Sequence, residues 1–168
     1  PNGNYIQYAY DTQGNRTEVS YYKADNTRVF WKRFDYQHPD QPGKLWKEIN
    51  PDNTFAEYFY NAGGTISSIN DAAGKTTSYS YDLFKRLTSV NQPGATITGY
   101  DYDAHGNLKS VTDAENHITS YDYDDRGRRV RTTSPDTGII SYRYDAAGNL
   151  VAKADANGIT VTYTYDAL

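Results

Sequence analysis

The phrase Tyr-x-Tyr-Asp returns at a fixed interval, and no feature of this chain constrains its fold more. Tyr165 stands 21 residues after Tyr144, and the same step leads back to Tyr123, Tyr102, Tyr81 and Tyr60. A companion series, Tyr163, Tyr142, Tyr121, Tyr100, Tyr79 and Tyr58, keeps the same period. Self-similarity at a short fixed period marks a tandem array, whose units are stabilised by contact with their neighbours and not by one central core.

Turn chemistry divides each unit in two. After Tyr102 come Asp103-Ala104-His105-Gly106-Asn107, and Gly106 has counterparts at Gly64, Gly127 and Gly148, as well as Gly14, each four residues after a second tyrosine or its equivalent. Glycine accepts a positive φ without steric cost, and a preceding Asp can hold nearby backbone amides. A second turn reads Asp113-Ala114-Glu115-Asn116, matched by residues 71–74 and 155–158. Two turns in each unit leave two segments of roughly six residues, the length of a strand. One holds Leu108 to Thr112 and the other Ile118 to Tyr123. In the second, Thr119, Tyr121 and Tyr123 share one face at period two, a strand spacing that no helix uses. In the first, Leu108 and Val111 have opposite parity, as do Leu87 and Val90, and Ile66 and Ile69. Either both faces carry apolar contacts or a bulge resets the register.

A longer rhythm lies over the shorter one. The turn before the tyrosine strand carries proline at 51, 93 and 135, and Asp-Ala in the units between. Asn107 and Asn149 follow the turn glycine in alternate units, while Arg86 and Arg128 take that place between them. The underlying period is therefore twice the shorter one, a pair of unlike hairpins.

The whole of 1–168 reads as a single array. Residues 1–57 form longer, irregular units; 58–162 form five regular 21-residue repeats; 163–168 begin a further one. The start at Pro1, seven residues before Tyr8, and the stop at Asp166-Ala167-Leu168 read as a piece of a longer chain. Unit 79–99 has Lys85 where glycine belongs, so its turn is expected to differ locally. A lone hairpin is marginal in water. Seven in sequence predict about fourteen strands, a ribbon on the order of 65 Å wide. So wide an antiparallel sheet accumulates twist, so the expected fold is all-β, a wide, curved, spiralling sheet of tandem hairpins. Bare edges at its two ends predict end-to-end self-association.

Composition narrows the chemistry. Hydrophobic residues are only 37% of the chain, yet there are 18 tyrosines, whose rings can cover apolar surface while the hydroxyl finds a partner. The net charge of −4, with both signs interspersed, argues against nucleic acid, and no apolar run is long enough to span a membrane. There is no cysteine, hence neither disulfide nor thiolate metal site. Asp82, Asp103, Asp124, Asp145 and Asp166 recur from unit to unit, which suits turn-shaping better than catalysis, since a catalytic pair needs unlike environments. Asp101-x-Asp103 and Asp122-x-Asp124-Asp125 are rich in oxygen but lack the EF-hand spacing for calcium. His38, His105 and His117 lack metal-ligand spacing and read as exposed turn residues. No catalytic, cofactor or metal site is expected. Trp31 and Trp46 lie outside the repeated pattern and are candidate partner contacts.

The phrases Tyr-Asp-Ala-His-Gly-Asn-Leu (102–108), Tyr-Asp-Asp-Arg-Gly-Arg-Arg (123–129) and Tyr-Asp-Ala-Ala-Gly-Asn-Leu (144–150) resemble the YD repeat of Rhs proteins. Similar repeats occur in the C component of Tc toxins, bacterial wall-associated proteins and teneurins. The resemblance covers essentially the whole chain and is looser over 1–57. It implies a segment of a hollow β-shell, non-catalytic, secreted or at the cell surface of a bacterium. Its partners would be adjoining repeats and an enclosed polypeptide cargo such as a C-terminal toxin domain. The alternative reading is a cell-surface repeat module that binds glycans or proteins through its aromatic side chains.

Overall fold

A computed structural model describes residues 3–166, and every regular element in it is a β-strand. Pro1, Ala167 and Leu168, which the spacing argument also used, lie outside the described residues. The chain divides into two compact units, Pro1–Ser80 and Tyr81–Leu168. The first contains β1 (Tyr5–Tyr10), β2 (Arg16–Tyr22), β3 (Arg28–Asp35), β4 (Lys47–Ile49), β5 (Phe55–Tyr60), β6 (Ile66–Asn70) and β7 (Thr76–Tyr81), apart from the last residue of β7. The second contains β8 (Leu87–Gln92), β9 (Thr96–Tyr102), β10 (Leu108–Thr112), β11 (Ile118–Tyr123), β12 (Arg129–Ser134), β13 (Gly138–Tyr144), β14 (Leu150–Ala154) and β15 (Thr160–Thr162). Within each unit strand order follows chain order without a crossover, so the connections between the described strands of a unit are hairpins. Within the first unit each strand pairs antiparallel with its sequence neighbour. The same holds from β8 to β15 in the second.

The aspartate at each turn explains why the chain reverses there. Asp103 N–H donates to the Asn107 carbonyl at 2.9 Å, and Gly106 N–H returns to the Asp103 carbonyl at 3.1 Å. This is a three-residue hairpin loop that ends on a left-handed residue, here Gly106 with φ 91°. The Asp103 carboxylate then accepts the backbone N–H of His105 and of Asn107, each at 2.9 Å. Asp11, Asp82 and Asp124 do the same in their own turns, and Asp145 likewise accepts the Asn149 N–H. The second family of turns uses Asp71, Asp113 and Asp155 in the same way.

Unit 79–99 corrects one expectation. Lys85 stands at φ 62°, and the turn keeps both backbone bonds at 3.0 Å. The glycine position is filled by a residue that adopts the left-handed region, and the turn geometry is unchanged.

A bulge settles the parity of the first strand. Tyr102 pairs with Leu108, but Asp101 pairs with Ser110, which leaves Lys109 as the extra residue. Directly opposed residues share a face, so Leu108 joins Tyr102 and Val111 joins Tyr100 on one side of the sheet. The same slip falls just before Tyr10, Tyr22, Tyr60, Tyr123 and Tyr144. Along β7, Thr77, Tyr79 and Tyr81 are half-buried while the residues between them are exposed. Among the described residues, Val19 and Ala152 are the only buried hydrophobics. At the end of the chain β15 stops at Thr162, short of the expected Tyr163 and Tyr165, although Tyr163 N–H still reaches the Val151 carbonyl at 3.0 Å.

Candidate functional site

The tyrosine face is built from one contact made repeatedly. The second tyrosine of a unit donates its hydroxyl to a backbone carbonyl at the start of the preceding hairpin arm, always at the same sequence separation. Tyr60 reaches Leu45 at 2.7 Å, Tyr102 reaches Leu87 at 2.9 Å and Tyr123 reaches Leu108 at 3.0 Å. Tyr144 reaches Arg129 at 2.9 Å and Tyr165 reaches Leu150 at 3.0 Å. Strands run out of ladder partners where a hairpin opens, and a carbonyl left there needs a donor. The ring covers apolar surface beside the bulge while its hydroxyl supplies that donor, which neither Phe nor Leu could do.

The alternation of unlike hairpins has a physical counterpart at the same place. In the proline-turn hairpins a cation lies over the closing tyrosine: Arg86 over Tyr102 at 4.5 Å and Arg128 over Tyr144 at 4.8 Å. Each guanidinium also holds its own turn, with Arg86 Nε to Asp82 at 2.7 Å and Arg128 Nε to Asp124 at 2.8 Å. Arg128 and Arg126 reach on to the next turn, donating to the Asp145 and Ala146 carbonyls at 3.2 and 3.0 Å. Lys44 continues the series one full pair of hairpins before Arg86, with its ammonium 5.7 Å from the Tyr60 ring. Sequence reasoning missed Lys44, although the interval alone would have found it. In the units between, the amides of Asn107 and Asn149 return to Asp103 and Asp145 at 2.9 and 3.0 Å.

Hydrogen bonding and burial shift the ionisation of both residue types in opposite directions. Side-chain bonds from Asn15, Asn107, Arg128 and Asn149 are the main cause that holds Asp11, Asp103, Asp124 and Asp145 below the usual carboxylate range. Burial pushes the Tyr58 hydroxyl up to about 12, with the Glu48 carboxylate beside it as the next cause. Burial also raises Tyr60 and Tyr123. Lys32 and Glu48 form an ion pair at 2.9 Å, which the sequence did not signal. Cross-strand pairing places both on the tyrosine face, since Lys32 opposes Val19 and Glu48 opposes Phe34.

The two tryptophan candidates and His38 fall in the irregular first units. The Trp31 ring lies under two guanidinium groups, Arg33 at 4.6 Å and Arg28 at 5.6 Å, and both arginines bond Glu18. Trp46 carries Lys47 at 3.9 Å from its ring and packs edge-on against His38. His38 is not the exposed turn residue expected of it. It is 7% exposed, ringed by Trp46, Phe59 and Tyr60, and its Nδ1 accepts the Asp40 N–H at 3.2 Å. The insertion 37–41 folds back onto the sheet, and histidine provides a flat ring with an acceptor for that return. Beside it opens a groove of about 820 Å³, lined among others by Phe34, Pro42 and Ile49. His105 stays exposed in its turn, and exposed His117 lies 3.1 Å from Asp113. Among the described residues no group of three or more His, Cys, Asp or Glu is placed to hold a metal, and no helix is long and apolar enough to cross a membrane.

Taken together, these contacts define an antiparallel hairpin-repeat protein whose units are closed by tyrosine. The RHS Repeat model matches residues 60–97, 102–139 and 144–168, and the chain belongs to that family. Successive matches begin at 60, 102 and 144, at the interval of one pair of unlike hairpins, and the first two each take in most of such a pair. Among solved structures, the chain is similar to the crystal structure of TcdB2-TccC3 without its hypervariable C-terminal region. There the TM-score is 0.59 at 16% identity, covering 98% of this chain and 12% of the other. It is also similar to a mutated Tc holotoxin pore of Photorhabdus luminescens, with a TM-score of 0.55 at 15% identity, covering 92% and 10%. A third similar structure is a TcdB2-TccC3-Cdc42 crystal structure, with a TM-score of 0.56 at 16% identity, covering 99% and 13%. These likenesses establish the shared fold. The chain spans about an eighth of the length of the first of them. No curated protein matches the sequence.

Proposed function

We propose that this chain is a non-catalytic wall segment of a β-shell, which encloses a polypeptide cargo such as a toxin domain and keeps it apart from its surroundings. The observation that carries the reading is the repeated tyrosine closure, a contact that joins strands from unit to unit and leaves no unit distinguished as a reaction site. A wall of this kind acts by exclusion. Its partners are the adjoining repeats, which extend the sheet, and the cargo behind it. The structural role of the sixteen repeat tyrosines and glycines from Tyr58 to Tyr165, and contact with a partner through Trp31 or Trp46, belong to the same proposal. So do a secreted or surface location in a bacterium and end-to-end pairing of free sheet edges.

Limited proteolysis of the parent polypeptide tests the reading. A domain beyond the array should resist protease while the array is intact and become cleavable once paired Tyr→Phe changes loosen it. Equal cleavage rates before and after would overturn enclosure. Saturable glycan binding that is lost on changing Trp31 or Trp46 would favour a surface-binding module instead.

A further inference from the structure

The repeat spaces its tyrosines out. Two on one strand stand about 7 Å apart, and those on alternate strands about 10 Å apart. A different residue type directly opposes them, as Leu108 opposes Tyr102 and Val111 opposes Tyr100. The first hairpin breaks this rule. Tyr5 of β1 opposes Tyr22 of β2, and their rings stack with centroids 5.0 Å apart and planes 8° from parallel. Side chains alternate between faces along a strand, so Tyr5 lies on the face opposite Tyr8 and Tyr10, which precede the Gly14 turn. The pair therefore stands outside the closing series. The Tyr5 hydroxyl donates instead to the Asn26 side-chain oxygen at 3.0 Å.

Two stacked phenols on neighbouring strands have a chemistry that isolated ones lack. Both rings are half-buried, so each keeps an edge from which a proton can pass to water. The torsion that turns a tyrosine ring is broad, so stacked rings can swing until their edges meet while the backbone stays in place. The chain has no cysteine, so no disulfide can staple this hairpin.

We propose that Tyr5 and Tyr22 form an oxidative cross-linking site, at which hydrogen peroxide acting through a haem peroxidase couples the two rings into dityrosine. The oxidant takes one electron from each phenol, and each hydroxyl releases its proton. The two phenoxyl radicals then pair in a new carbon–carbon bond between positions ortho to the oxygens. Loss of the two ortho hydrogens as protons, with reprotonation of the oxygens, restores both phenols. Peroxide accepts the two electrons and two protons and leaves as two waters. The product ties β1 to β2 across the Asp11 turn and keeps that loop closed in the unfolded chain, which stabilises the fold.

Treatment of the dilute chain with hydrogen peroxide and a haem peroxidase tests this, read by dityrosine fluorescence and by mass spectrometry of tryptic peptides. The expected product joins peptide 1–16 to peptide 17–23 with the loss of two hydrogens. Tyr5→Phe and Tyr22→Phe keep both rings and should each abolish that product. Tyr8→Phe and Tyr21→Phe, in the same two peptides, should leave it unchanged. Circular dichroism of the untreated variants checks that all four fold. The cross-linked chain should also unfold at a higher denaturant concentration than the untreated one. A link that survives Tyr5→Phe or Tyr22→Phe would overturn the proposal, as would dityrosine spread evenly over the other tyrosines. So would an equal yield from chain unfolded in denaturant, or no link under conditions that couple free tyrosine.

Discussion

At the scale of single residues, tyrosine is used here for both of its ends. Phe at position 102 or 123 keeps the ring and loses the bond to the Leu87 or Leu108 carbonyl. Each such change should lower stability by about 0.5–1.5 kcal/mol, read from chemical denaturation, because the carbonyl keeps access to water at the face. Lys85 makes a prediction of opposite sign. A left-handed conformation costs a side-chain-bearing residue about 1–2 kcal/mol, while glycine is more costly to order by about 0.5–1 kcal/mol. Lys85→Gly should therefore stabilise the chain by about 0.5–1 kcal/mol, and an unchanged midpoint would show that Lys85 makes up the difference through its own contacts. The tyrosines and turn aspartates were legible in the sequence because their signals are local: period two on a strand, and an acid three residues before a left-handed position. His38 was not legible. Its burial depends on an insertion folding onto Trp46, Phe59 and Tyr60, and no local pattern connects it to partners so far along the chain.

At the scale of the hairpin, the bulge was one of two readings the sequence left open, since parity alone cannot locate an extra residue. The pairing of Tyr102 with Leu108 and of Asp101 with Ser110 places it at Lys109. The cation series marks the two kinds of hairpin as mechanically unlike. Arg128→Gln should cost about 0.5–1 kcal/mol from the lost cation–ring contact, and should also lower amide protection in the following turn at Asp145. Asn107→Ala should leave the neighbouring turn at Asp124 protected, because the hydrogen bond of that amide goes to its own aspartate. Hydrogen exchange of the two variants separates these outcomes. The turn carboxylates have folded-state pKa values below those of the unfolded chain, so the stability they add is present above the ordinary Asp range. It is lost as pH falls below about 4. An acid titration followed by circular dichroism should show that loss, and it should be reduced when Asp103 and Asp145 are changed to Asn, which keeps the shape without the charge.

At the scale of the whole molecule, alkali should act on the opposite feature. Tyr58, Tyr60 and Tyr123 have hydroxyl pKa values raised by burial, so the unfolded chain ionises first and stability declines as pH climbs above 10. Tyrosinate absorbance of the folded chain should therefore develop late, with Tyr58 titrating near 12, and a Tyr58→Phe variant should lose that late component. The alternation of Arg with Asn turns has a consequence for how such genes can change. Recombination between neighbouring copies that removes a single hairpin would bring two turns of the same kind together, so that a guanidinium meets a neighbour already carrying one or an asparagine is left beside another. Removal or duplication of a whole pair restores every junction to one already present. Natural length variation in arrays of this kind should accordingly run in even numbers of hairpins, with odd-numbered variants rare and, when built deliberately, less stable than their even neighbours.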